Sequence, residues 1–130
     1  MPLIKITDEN IAKSKPPSEG WHLGKIEKFS ENDSNDKKSK NWVFEIVIEE
    51  EGDNNGRYMY ARFNSKAPGM LVSSGFLAAA LDVPEINAAM EFNPEELIGK
   101  QLYGEVKVST YEGKLQHRTE SFSPPSKQPF

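Results

Sequence analysis

The sequence predicts a mainly β fold, a small five-stranded Greek-key barrel with a helical connection between strands three and four. Three observations carry this. Stretches with a period of two recur along the chain, and Gly, Asn and Asp clusters separate them. The main helix-like stretch falls between the third and fourth. A bent β-sandwich is the rival, but it normally needs about seven strands.

The clearest element is a hairpin over residues 41–64. In its first arm Trp42, Phe44, Ile46 and Ile48 share one face, with Val43, Glu45, Val47 and Glu49 on the other. In the second, Met59, Ala61 and Phe63 share the core face, and Tyr58, Tyr60, Arg62 and Asn64 the opposite one. Alternation of this kind marks a sheet with one buried face, and EGDNNG between the arms marks the turn. Before it, 20–30 reads as the first strand, with Trp21 and Leu23 in phase. Gly24 interrupts, and Ile26 and Phe29 follow in another phase, so Gly24 is the expected point of a bulge or sharp coil. ENDSNDKKSK (31–40) is a polar loop ending in Lys37, Lys38 and Lys40, a run that reads first as a solvated loop and second as a set of phosphate contacts.

After the hairpin, Met70, Leu71, Ser74, Leu77, Ala78 and Leu81 recur at helical spacing, with Gly75 weakening the middle by about 1 kcal/mol. Asp82 followed by Glu85 resembles a capping box opening a short helix over 84–90. Asn93-Pro94-Glu95-Glu96 is a helix start and Gly99 its stop. Strand four is 101–111. It places Leu102, Gly104, Val106 and Val108 on one face and Tyr103, Glu105, Lys107, Ser109 and Tyr111 on the other. Glu112-Gly113 is a two-residue turn into strand five, 114–122. The expected organisation is an arm at 1–19, one domain at 20–122, and a flexible proline-rich tail at 123–130. Trp21 and Trp42 are assigned to the core, as are Phe44, Ile46, Phe63, Val106 and Val108.

Composition excludes several chemistries. A chain of 130 residues with 36% hydrophobic and 28% charged residues suits one globular domain, and no apolar run is long enough for a bilayer. With no signal-peptide pattern at the start, the cytoplasm is the expected location, that of the host if the chain is phage-encoded. Zero cysteines rule out disulfides, thiolate catalysis and cysteine-held metals. His22 and His117 have no spaced carboxylate or thiol companion and read as strand or surface histidines. The Glu49–Asp53 run lacks the spacing of a calcium loop. No catalytic constellation, cofactor motif or metal set emerges, so the expectation is a protein that is not an enzyme and takes no cofactor.

Charge is uneven. The net charge is −4, yet 57–70 holds Arg57, Arg62 and Lys66 without an acid. Residues 71–99 hold Asp82, Glu85, Glu91, Glu95 and Glu96 without a base. Local potential is what phosphates feel, within about 8 Å. Tyrosines interleaved with bases suit a single-stranded nucleic acid, rings for bases and cations for phosphates. The candidate binding residues are Tyr58, Tyr60 and Arg62 on strand three and Tyr103, Lys107 and Tyr111 on strand four. Lys114, Gln116 and Arg118 on strand five and Lys37, Lys38 and Lys40 in the loop complete the set.

Five antiparallel strands with a helix after the third correspond to the OB-fold. Four stretches then carry a resemblance: EGWHLGKIEKF, NNGRYMYARFN, FNPEELIGKQLYGEVKV and YEGKLQHRTESFSP, together covering 19–124. In order and spacing the chain resembles small bacteriophage single-stranded DNA-binding proteins, a phage family catalogued as a domain of unknown function. The resemblance implies an OB-fold and single-strand binding in phage replication or recombination. Phage or host replication proteins and a second copy of the chain are further partner candidates, and a membrane is not. The chain departs in its tail, which ends Gln128-Pro129-Phe130 without the acidic residues such proteins commonly carry there. The alternative function is a protein-interaction module, an OB-like adaptor or inhibitor of a host or phage protein.

Overall fold

In a computed structural model, residues 3–87 and 91–129 are described. They form helix α1 (Asp8–Ser14), strands β1 (Gly20–Asp33), β2 (Lys40–Ile48) and β3 (Tyr58–Asn64), then helices α2 (Met70–Ser73) and α3 (Phe76–Leu81). A 3₁₀ turn (Pro94–Leu97) leads into β4 (Gln101–Tyr111) and β5 (Lys114–Ser123). Helices α2 and α3 and the 3₁₀ turn fall between β3 and β4 in chain order. The strands make one antiparallel sheet in the order β3-β2-β1-β4-β5. Among the described residues no ladder joins its edges β3 and β5, so the sheet is not closed into a barrel.

β1 is the strand on which the sheet turns. Its first part, 20–25, pairs with β4, and 24–33 pairs with β2, so Gly24 lies opposite both Leu102 and Ile48. A Cβ at Gly24 would meet Ile46 Cγ2 at 2.6 Å and the Val47 carbonyl at 2.9 Å, so only glycine allows this close approach. The bulge itself lies three residues on, at Glu27, where the register with β2 shifts between Ile26 and Lys28. This corrects the expected position. The expected phase is also corrected: His22, Gly24 and Ile26 are buried, while Trp21 and Leu23 are half-exposed. Trp42 packs against the core from its margin and donates its indole N–H to Glu31 at 2.9 Å.

The buried faces of β2 and β3 are those expected, with Phe44, Ile46, Ile48, Met59, Ala61 and Phe63 inside. Phe76 of α3 stands at their centre, its ring centroid 4.7 Å from Phe44, 5.2 Å from Phe63 and 5.0 Å from Phe122. Val108 is half-exposed, contrary to expectation. It pairs with His117 where the β4–β5 ribbon runs on toward exposed Leu115, beyond the core.

The single helix expected over 70–81 is two. Gly75 breaks it with φ 83°, and a Cβ there would stand 2.9 Å from the Phe122 carbonyl, while Phe122 N donates to Ser74 O at 3.2 Å. Close approach to β5 thus requires both the glycine and the break. Asp82, expected to open a helix, instead ends α3 in a left-handed conformation with φ 53°. Residues 84–87 are not helical, and 88–90 lie outside the described residues. Asn93 caps the 3₁₀ turn as expected, accepting from Glu95 N at 3.1 Å. Residues 124–129 after β5 form no helix or strand. They are tied to the domain by Ser126 Oγ to Asp82 at 2.6 Å and Gln128 Nε2 to the Tyr103 hydroxyl at 3.4 Å.

Helix α1 is the element not expected. Thr7 and Asn10 form a reciprocal cap, Thr7 Oγ1 accepting from Asn10 N at 3.1 Å and Asn10 Oδ1 from Thr7 N at 3.0 Å. The helix buries none of its residues. No described helix is long and apolar enough to cross a membrane.

Candidate nucleic-acid interface

The outward face of β3 is a ladder of two rings and a cation. Tyr58 and Tyr60 stack with centroids 6.5 Å apart and planes 23° apart, and Arg62 Cζ stands 5.1 Å from the Tyr60 ring centroid. Alternation on one strand produces this, since side chains two apart share a face. Tyr60 is 38% exposed. Tyr58 is half-buried and donates its hydroxyl to both Glu27 oxygens at 3.3 Å. Burial first, and then the Glu27 charge, push its phenol above the ordinary value, so it stays a neutral donor. On the neighbouring strand Val43, Glu45 and Val47 lie opposite Arg62, Tyr60 and Tyr58. The β2 side of the ladder therefore offers a carboxylate and no cation.

The other side is different. A groove of about 480 Å³ separates β3 from the N-terminal arm and from β5, and its basic lining is Lys13, Lys15, Arg62 and His117, with no carboxylate. The arm is held there by specific contacts. Pro17 is buried, Ser18 N donates to Asn54 Oδ1 at 3.0 Å, and Asn54 Nδ2 donates to Ser18 Oγ at 3.0 Å. Arg57 Nε donates to the Ala12 carbonyl at 3.0 Å. A Cβ at Gly56 would stand 2.9 Å from Lys13 Cε, so that glycine leaves room for the lysine stem. Lys13 also pairs with Glu9 at 2.9 Å, and this hydrogen bond holds the Glu9 carboxyl below its ordinary value.

His22 anchors the root of the arm. It is 5% exposed, its Nε2 lies 2.6 Å from the Ser18 carbonyl, and its Nδ1 contacts Glu50 of the β2–β3 turn. Both ring nitrogens are engaged in holding the chain. No group of metal-ligating side chains occurs among the described residues.

The residues singled out from sequence divide into separate places. Tyr58, Tyr60 and Arg62 lie together as expected. Tyr103 does not join them: it is 8% exposed, with Gln128 on its hydroxyl, and offers no ring face for stacking. It lies between buried Leu102 and Gly104, in the part of β4 that pairs with β1 on one side and β5 on the other. Lys107, Tyr111, Lys114, Gln116 and Arg118 share one face of the β4–β5 ribbon, since Lys107 pairs with Arg118, Ser109 with Gln116 and Tyr111 with Lys114. Val106, His117 and Thr119 take the alternate face, and these line the β3 groove. The basic ribbon face is thus turned away from Tyr60. Its cations are partly neutralised, with Lys107 3.8 Å from Glu105 and Arg118 3.8 Å from Glu120.

Where β1 ends and β2 begins, Lys40 pairs with Asp33, whose hydrogen bond raises the lysine above its ordinary value. Lys66 donates to Asp36 at 2.8 Å, and with help from Ser34 and the Lys38 amide holds the Asp36 carboxyl down at about 2. Lys37 and Lys38 have no carboxylate partner among the described residues. Sequence reasoning missed Lys13, Lys15 and His117 as groove residues. The capping pair in ITDEN was the one signal for the helix that carries Lys13.

No protein-family model matches the chain, and no curated protein matches it in sequence.

Proposed function

We propose that the protein binds single-stranded nucleic acid, without catalysing a reaction, in the groove between the N-terminal arm and β3. One observation carries this reading. In a chain of net charge −4, the groove beside the stacked Tyr58–Tyr60 pair is lined by Lys13, Lys15 and Arg62 and by no carboxylate. Rings offer a stacking surface to any base, at roughly 1–3 kcal/mol each, and cations add a salt-dependent phosphate term. Binding of this kind tolerates sequence, because every base has a flat face.

The strand order, with β1 shared between β2 and β4, supports reading the sheet as an OB-fold whose β3–β5 seam stands open. The resemblance to phage single-strand binding proteins supports a role in phage replication or recombination, with replication proteins as partners. The second reading, a protein-interaction module, is favoured by the exposed Leu3, Ile4, Ile6 and Ile11 of the arm.

A titration of labelled oligo-dT by fluorescence anisotropy across a salt series separates the two. Three phosphate contacts at about 0.7 each give an expected slope near −2 in log affinity against log salt. No binding at low salt would leave the interaction module as the better reading.

A further inference from the structure

Beyond Arg62 the trench continues. A second groove of about 890 Å³ wraps over the far end of β3, and it shares Arg62 and Thr119 with the first. Its walls come from β1, β2, β3, α2 and β5, and its character differs. Asn32, Asn41, Ser73 and Ser121 contribute amides and hydroxyls, and Phe63 and Met70 contribute apolar surface. Its single carboxylate, Glu120, lies 3.8 Å from Arg118.

The hydrogen bonds fix what Asn41 presents. The Lys66 amide can only donate, and it meets Asn64 Oδ1 at 2.8 Å, so the Asn64 amide nitrogen faces the other way. That nitrogen donates to Asn41 Oδ1 at 2.8 Å and to Ser39 Oγ at 3.1 Å. One of the two lone pairs of the Asn41 oxygen is thereby taken. The Asn41 Nδ2, with two donor hydrogens, has no protein partner among the described residues. Together with the Arg62 guanidinium, this makes the β3 end of the second groove a surface of donors.

We propose that this groove is a nucleobase subsite for the same single strand, and that the strand runs along the β3–β5 seam and reaches β2 only at its start, at Asn41. The inference rests on the single-strand reading above. The first groove takes the backbone beside the tyrosines, and Arg62 at the waist contacts the phosphate between the two. The next base enters the second groove with its pairing edge toward Asn41. Seven residues of β3 at about 3.3 Å each span roughly 23 Å, enough for a short site near the lower limit of about 4 nucleotides per OB-fold. The β2 face, with Glu45 beside Tyr60, repels phosphates and turns the strand into the seam. A donor at Asn41 fits thymine better than adenine, because the thymine pairing edge carries two carbonyl oxygens on either side of one N3–H, whereas adenine offers there one acceptor, N1, beside its amino group.

The test measures parent, Asn41→Leu and Ser73→Trp protein against labelled thymine and adenine homopolymers of equal length. Adenine tracts also bind poorly because they self-stack, but that cost is the same for parent and variant, so the change in ratio is diagnostic. Asn41→Leu is expected to lower the thymine-to-adenine affinity ratio about 3- to 10-fold, the value of one net hydrogen bond. Ser73→Trp fills the groove and is expected to weaken both homopolymers. Both residues are exposed, so the core is untouched, and a melting curve for each verifies folding. If Asn41→Leu fails to fold, Ser73→Trp decides alone. If the parent binds while folded variants keep its affinity and ratio, the subsite is wrong and the first groove stands. If the parent binds neither homopolymer, both readings fall together.

Discussion

Tyr60 and Arg62 stand two residues apart on one strand and contribute different physics, so their removal should leave different signatures. Tyr60→Ala takes away a stacking surface and is expected to weaken oligo-dT binding by roughly 1–3 kcal/mol with the salt slope unchanged. Arg62→Ala takes away a phosphate contact and should lower the slope by about 0.7, whereas Arg62→Lys restores the slope without the planar stack on Tyr60. Parallel anisotropy titrations over salt distinguish all three, and equal slopes for Arg62→Ala and parent would remove Arg62 from the phosphate path. A second residue-scale expectation concerns acid. The Asp36 carboxyl is held at about 2 by Lys66, below its ordinary 3.8. A depressed carboxylate stabilises the fold above the unfolded value and loses that contribution as pH falls from about 3.8 through about 2. Asp36→Asn should therefore lower the melting temperature slightly at neutral pH and converge with the parent near pH 2. The pair is exposed, so the difference is small. A gap that persisted at the acid end would mean that the substitution acts by other contacts.

At the scale of elements, two joints position the site. Gly75 lets α3 approach β5, and Gly75→Ala imposes a side chain on a left-handed backbone against the Phe122 carbonyl. It is expected to cost roughly 1–3 kcal/mol in chemical denaturation. No change would show that the α2–α3 break relaxes freely. The arm is the other joint. Removing residues 1–15 takes out Lys13 and Lys15 but spares Pro17 and Ser18, so the salt slope should fall by about 1.4, two contacts at 0.7 each. The melting temperature should hardly move, because α1 buries no residue. The β2–β3 hairpin was legible in the sequence because one buried face imposes alternation, and that alternation also exposed the Tyr58–Tyr60–Arg62 ladder. Helix α1 was not legible, since a helix without a buried face has no apolar period. The bulge at Glu27 uses no special residue and so leaves no mark in the sequence, whereas Gly24 stands out there although its role is close packing. Tyr103 alternates correctly with its outward neighbours, and only the three-dimensional cover over β4 and the docked tail explains why it is buried.

For the whole molecule, charge and shape are separated. The acids of 71–99 follow β3 in the chain and none of them lines the groove beside the tyrosine ladder, where bases from the arm and β3 meet. Sequence could show that the cations existed but not which ones meet, because Lys13 and Arg62 come together only when the arm folds back along β3. It also grouped Lys107 and Arg118 with Tyr60, although the ribbon turns them to its other face. The most direct measurement is photocrosslinking of a 5-iodouracil-substituted oligonucleotide, followed by mapping of the linked peptide. Halogenated pyrimidines couple to rings on which they stack, so the expected crosslink is on the 58–64 peptide, at Tyr60. A crosslink confined to Tyr111, 62% exposed at the tip of the ribbon, would contradict the groove and assign binding to the opposite face.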